Sequence, residues 1–169
     1  MKQLLYITDK DITGSDKLSN AKPRIAVGVV LLDSDNNIAL YYGKNWNMYT
    51  LPGGGVDDNE DILAAVKREM WEETGCEIEL IREIGVVFEN RNEHDFTQEK
   101  YHYMASVVGD KGELHLTEKE LATEATIHWY PLDKAVQIIS TQQPSTYQQK
   151  FIKQRDIAVL EEVIRQSNL

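Results

Sequence analysis

Cysteine is nearly absent from this 169-residue chain: Cys76 stands alone. That excludes an internal disulfide and a cysteine-rich zinc site. No run of eighteen apolar residues occurs, so no membrane-spanning segment is expected. The opening MKQLLYITDKD turns acidic too early for a secretory leader. With the lone cysteine, this gives the expectation of a reducing, cytoplasmic setting. Positive charge is scarce too: 18 Lys and Arg stand against 28 Asp and Glu, a net charge of −10. Such a surface repels a duplex phosphate backbone, so a nucleic-acid duplex is not an expected partner. No internal repeat or low-complexity linker divides the chain, and 41% apolar residues suffice for one core.

The acidity is unevenly placed. Seven acids and two bases fall between Asp57 and Glu73, so half the net charge lies in that short stretch, directly after Leu51-Pro-Gly-Gly-Gly55.

The surrounding pattern reads as follows. Residues 1–22 form a short N-terminal strand (Leu4–Ile7) and a polar extension, and 23–169 form a single domain. Arg24–Asp33 and Ile38–Tyr42 are β-rich runs joined by the turn cluster Asp33–Asn37, which predicts a hairpin over 24–42. Gly43–Met48 is a polar loop, and Tyr49–Leu51 a strand ending at Pro52. A helix is expected over Asn59–Thr74, with Asn59 as N-cap, acids in its first turn and Gly75 just past its end. Glu77–Phe88 and Lys100–Val108 read as strands joined by the polar stretch Glu89–Glu99. Ala125–Tyr130 follows as a strand and Leu132–Ser140 as a helix. Tyr147–Gln166 is an amphipathic terminal helix whose apolar stripe packs on its own domain or forms a dimer contact. The fold class is α+β, a mixed sheet flanked by helices.

Within the expected central helix, Glu69, Glu72 and Glu73 share one face, at about 0°, −60° and 40° around its axis. Clustered like charges weaken a helix unless a cation neutralises them. An all-oxygen donor set suits Mg²⁺, with Mn²⁺ as an alternative. Leu63, Val66 and Met70 gather on one side and Ala64 and Trp71 on another, so the helix is expected to pack on more than one face. Glycines after a strand let backbone approach phosphate or metal closely.

The order Gly54-x5-Glu60-x7-Arg68-Glu69-Met70-x-Glu72-Glu73-x-Gly75-Cys76 meets every specified position of the 23-residue Nudix box, and the chain resembles the Nudix hydrolase family. Seven positions each demand one residue type, so a chance match is well below roughly one in a million. The resemblance implies an α/β/α sandwich with a loop–helix–loop catalytic motif. It also implies metal-dependent hydrolysis of a diphosphate bond in a nucleoside diphosphate linked to another moiety. The implied catalytic set is Arg68, Glu69, Glu72 and Glu73. The implied metal shell is the Gly53 carbonyl with Glu69, Glu72 and Glu73, completed by a downstream acid, Glu120 or Glu124, with Glu124 preferred. Arg68 and Glu60 look like a pair that orients loop and helix, and Gly75 serves the motif's shape. Tyr49, Gly54 and Gly55 are assigned to the substrate, a small nucleotide derivative, with Trp46, Tyr101 and Tyr103 as further stacking candidates. The chain is expected to be a monomer or homodimer. A non-catalytic nucleotide-binding module of the same fold is the alternative, and the complete set of box acids weighs against it.

Other motifs fail. The stretches starting at Asp33 and Asp57 begin like calcium loops but carry Ile38 and Ile62 where glycine is required. No P-loop occurs. The four histidines lack metal spacing, and only His94 and His102 are retained as general-base alternatives.

Overall fold

Among the described residues, seven strands form one mixed sheet with helices on both faces. The computed structural model describes residues 1–122 and 124–167, without the side chains at 119 and 120. The chain runs through β1 (Gln3–Thr8), the short α1 (Asp9–Ile12), β2 (Arg24–Leu32), β3 (Ile38–Gly43) and β4 (Met48–Thr50). Helix α2 (Ile62–Thr74) leads into β5 (Glu77–Arg91) and β6 (Phe96–Val108). One turn of helix, α3 (Glu118–Leu121), precedes β7 (Ala125–Tyr130), α4 (Leu132–Thr141) and α5 (Tyr147–Ser167). The strand order is β1-β5-β6-β2-β3-β4, with β7 also paired to β3. The β1–β5 and β2–β6 pairs are parallel and the others antiparallel.

Two apolar layers result. On one face, Val30, Leu40, Val87 and Met104 pack with Ile139 of α4 and Phe151, Val159 and Leu160 of α5. On the other, Val27, Val29, Leu31 and Tyr103 pack with Ala65, Val66 and Met70 of α2, and Cys76 is buried there as a small core side chain. This is the α/β/α arrangement expected. β1 is an edge strand of the same sheet, and α5 covers its own domain.

Four local expectations are corrected. The 24–42 hairpin pairs only at Leu32 and Ile38, because another segment takes the edge of β2: Val27 N donates to Gly54 O at 2.8 Å, Val29 N to Pro52 O at 2.9 Å, and Val56 N to Ile25 O at 3.0 Å. The polar stretch 89–99 is mostly strand, since Glu89, Asn90, Arg91, Gln98 and Lys100 are buried and partnered inside the fold. A tight turn at 92–95 is all that separates β5 from β6. Helix α2 begins at Ile62, with Asp61 as N-cap accepting from Leu63 N and Ala64 N. Asn59 adopts a left-handed φ of 65° in the preceding loop, so the acids lie before the first turn. Gly75 ends the helix in the left-handed region, as expected. Finally, Leu63 and Trp71 stay exposed, and Trp71 stacks on His115, ring centroids 4.4 Å apart, instead of on the core.

Candidate active site

A cavity of about 700 Å³ opens where the 52–56 segment, α2, the ends of β5 and β6, and α5 meet. One wall is the box. Glu69, Glu72 and Glu73 all line it, together with Gly53, Gly54, Gly55 and Arg68. Glycine is required at Gly53, which at φ 132° has no room beside the Val27 carbonyl, while a Cβ at Gly54 would push the Glu69 carboxylate aside.

Arg68 organises this wall. Its Nε and one terminal nitrogen grip Glu60 at 2.8 Å each, and that nitrogen also donates to Gly55 O at 2.9 Å. The other terminal nitrogen reaches Glu69 at 2.8 Å and Glu72 at 3.1 Å. Five hydrogen bonds use the whole guanidinium. They raise its pKa, with Glu60 the main cause. The same ion pair, helped by Asp57 N, holds the Glu60 carboxyl down at about 2. Glu73 instead accepts from Gly53 N at 2.5 Å.

The donor set is chemically right for a hard divalent cation: carboxylate oxygens and a backbone carbonyl on one wall. Among the described residues, no three acidic, histidine or cysteine side chains are gathered tightly enough to form a finished cage. Glu69 and Glu72 lean on Arg68, and Glu73 on the loop.

The opposite wall was not foreseen from the sequence. Arg91, Gln98, Lys100 and Arg155 face the cavity, and all are buried. Behind them lie Glu89 and Asp156, 1% and 0% exposed. Arg155 donates to Asp156 at 2.8 Å, Glu89 at 3.2 Å and the Thr50 hydroxyl at 3.2 Å. Arg91 grips Glu89 through Nε at 2.8 Å and through a second, shorter contact. Burial alone would raise the Glu89 carboxyl, but Arg155 and Arg91 hold it below its usual value. Asp156 also accepts from Thr50 Oγ1 at 2.6 Å and Leu51 N at 3.0 Å, tying α5 to the strand that feeds the glycines. Burial, reinforced by Arg155, pushes the Lys100 ammonium down to about 8. The signals were present in outline. Positions 155 and 156 fall inside the apolar stripe of α5, and 98, 100 and 102 alternate onto one face of β6.

The remaining site expectations divide. Tyr49 is turned away from the cavity into an aromatic group with Tyr42, His128 and Tyr130. The strand's period of two gives the cavity Thr50 and its partner Tyr41 instead. Trp46 and His94 do line the cavity, whereas Tyr101 and Tyr103 point to the α2 face. Glu124 lies outside the cavity lining and pairs with Lys44 at the surface. The side chain of Glu120 falls outside the described residues. His102 is wholly buried, and burial with the neighbouring Lys100 and Arg155 charges lowers its pKa well below the ordinary value. It does not line the cavity, unlike His94.

A helix-flanked mixed sheet, with a glycine turn and an acidic helix forming one wall of a charged cleft, defines an α/β/α sandwich with a loop–helix–loop motif. The chain belongs to the Nudix family: the NUDIX domain family model matches residues 22–151. It is 42% identical over 72 residues to an RNA pyrophosphohydrolase of Pelagibacter ubique, covering 41% of this chain and 46% of that protein. It is 44% identical over 69 residues to an RNA pyrophosphohydrolase of Bartonella henselae, covering 40% and 36%. The matches thus span less than half the length of these curated relatives. In fold, it is similar to a MutT Nudix hydrolase from Burkholderia pseudomallei, with a TM-score of 0.60 and 24% identity over 85% of this chain and 99% of that one. Nudix hydrolases generally use divalent metal ions. Among the described residues, no helix is long and apolar enough to cross a membrane.

Proposed function

We propose that this chain is a Mg²⁺-dependent nucleotide pyrophosphohydrolase, with Mn²⁺ able to substitute, that cleaves a diphosphate bond in a nucleoside diphosphate linked to another moiety. The observation that carries this reading is the placing of Glu69, Glu72 and Glu73 beside Gly53 on one wall of a cavity whose facing wall is cationic. The names of the two curated relatives, RNA pyrophosphohydrolases, support the reaction type and extend the substrate class to RNA.

Glu69, Glu72, Glu73 and the Gly53 carbonyl are the groups that would hold the metal. When bound, such an ion supplies polarisation of the diphosphate oxygens and a more acidic water. Arg68, fixed by Glu60, sets where Glu69 and Glu72 start from, and so acts as a positioning residue. The cavity leaves the aromatic side chains Trp46 and Phe96 for the nucleoside part.

The test is a turnover screen with Mg²⁺ and Mn²⁺ over nucleoside triphosphates, ADP-sugars, dinucleoside polyphosphates and a 5′-triphosphorylated RNA. Glu73→Gln should lower kcat by at least about 100-fold on whichever substrate is cleaved. Wild-type turnover by that variant would remove the metal-site assignment, and undiminished turnover in excess chelator would remove the metal dependence.

A further inference from the structure

We propose that Lys100 is an anion-binding residue whose ammonium takes a phosphate oxygen of the substrate from the wall opposite the box. This deepens the reading above, since it rests on the cavity receiving a diphosphate.

The starting point is how the buried charges are paired. Three buried cations, Arg91, Lys100 and Arg155, lie on the inner wall with the buried carboxylates Glu89 and Asp156, and the buried Glu73 of the box adds its field at Lys100. Both guanidinium groups are engaged by those carboxylates. Lys100 has none in ion-pair contact among the described residues, although it is only 5% exposed. Among the described residues its ammonium makes one long hydrogen bond, 3.5 Å from Nζ to the carbonyl of Gly53. An ammonium has three protons to give, and this leaves most of that capacity unused.

The side chain is held in place by its surroundings. It projects from β6 beside His102, and both lie over Gly28 of β2, where any Cβ would overlap them. The stem is therefore packed against the sheet while the tip lines the cavity. Taking an ammonium out of water costs several kcal/mol unless a good partner is supplied. One long bond to a carbonyl does not supply it, and a neutral donor would hold Gly53 equally well at lower cost. A diphosphate, with a negative charge on each phosphate, does supply it, and lysine serves phosphate as a compact point charge. A substrate phosphate in the cavity would then be approached by Lys100 from one side and by the box from the other.

The experiment uses the full chain and imidodiphosphate, a non-hydrolysable P–N–P probe, with Mg²⁺ present. Calorimetry compares wild type, Lys100→Met and Lys100→Arg, with Mg²⁺ binding measured separately. Lys100→Met should bind imidodiphosphate about 10- to 100-fold more weakly, the range expected for losing a charge-assisted hydrogen bond. Lys100→Arg should keep most of the affinity, and because Lys100 donates to the Gly53 carbonyl, the separately measured Mg²⁺ affinity of each variant sets a Mg²⁺ concentration that saturates all three. Lys100→Met also removes a buried charge, so its thermal midpoint should equal or exceed that of wild type, which guards against a folding defect. Unchanged affinity in Lys100→Met, or a lowered midpoint with unchanged affinity, would mean that the ammonium only staples the Gly53 loop, and would overturn the proposal. Equal weakening in the Met and Arg variants would also overturn it, because shape rather than charge would be at stake. If wild type binds the probe through Lys100 but cleaves no member of the substrate panel, the subsite stands and the pyrophosphohydrolase reading falls.

Discussion

The two walls of the cavity are both built from charge, yet they are built in opposite ways. On the box wall, one arginine serves three glutamates that are contiguous on a single helix and its leading loop, and Arg68 remains 28% exposed at its side chain. On the inner wall, Glu89, Arg91, Lys100, Arg155 and Asp156 come from β5, β6 and α5 and are 5% exposed or less. On the box wall Arg68 and Glu72 are partly exposed, 28% and 23% at their side chains, and can change partners at small cost because water screens the exchange, whereas Glu69 and Glu73 are buried. Inner-wall charges cannot, since any unpaired buried charge carries its full desolvation penalty. The inner wall is suited to staying as it is, with the Lys100 ammonium outside its ion pairs.

The largest test of this contrast is Asp156→Asn. It strands part of Arg155 and loosens Thr50 and Leu51, and breaking a buried pair costs about 3–5 kcal/mol. Calorimetry should therefore show a thermal midpoint lower by roughly 10 °C. A drop as small as that of a surface ion pair would erase the distinction between the walls. The second test is acid titration of the box wall. Glu60 titrates at about 2 in the fold against an ordinary 4.5. Its contribution is complete above the ordinary value and is lost as pH falls through the folded one. Glu60→Gln should therefore flatten the loss of thermal midpoint between those two pH values relative to wild type. Parallel curves would show that the Arg68 pair adds nothing to stability. The smallest effect is expected from Trp71→Ala on the outer face of α2. Stacking on His115 is half exposed, so chemical denaturation should register no more than about 1 kcal/mol.

The same contrast explains what could be read in advance. The box is legible because its identity-restricted positions sit in one contiguous stretch, and Glu69, Glu72 and Glu73 do share the cavity. The sheet-and-helix layering was legible from apolar runs such as Arg24–Leu32. The inner wall was not, because its partners meet only after β5, β6 and α5 are assembled. A polar run such as Glu89–Glu99 reads as loop until Arg155 is known to stand over Glu89. Tyr49 failed as a stacking candidate for a smaller reason: one residue of strand register decides whether Tyr49 or Thr50 faces the cavity. Glu124 was chosen by chain position alone, and its surface partner Lys44 lies far away in sequence.

The pairing of residues 52–56 with β2 carries one more consequence. Pro52 O and Gly54 O both point at β2, bonded to Val29 N and Val27 N. Between them Gly53, held at φ 132°, turns its own carbonyl to within reach of Lys100. The site inherits that aim from two backbone hydrogen bonds and one glycine conformation. Sliding the segment by one residue would turn that oxygen inward, without altering a single charged side chain.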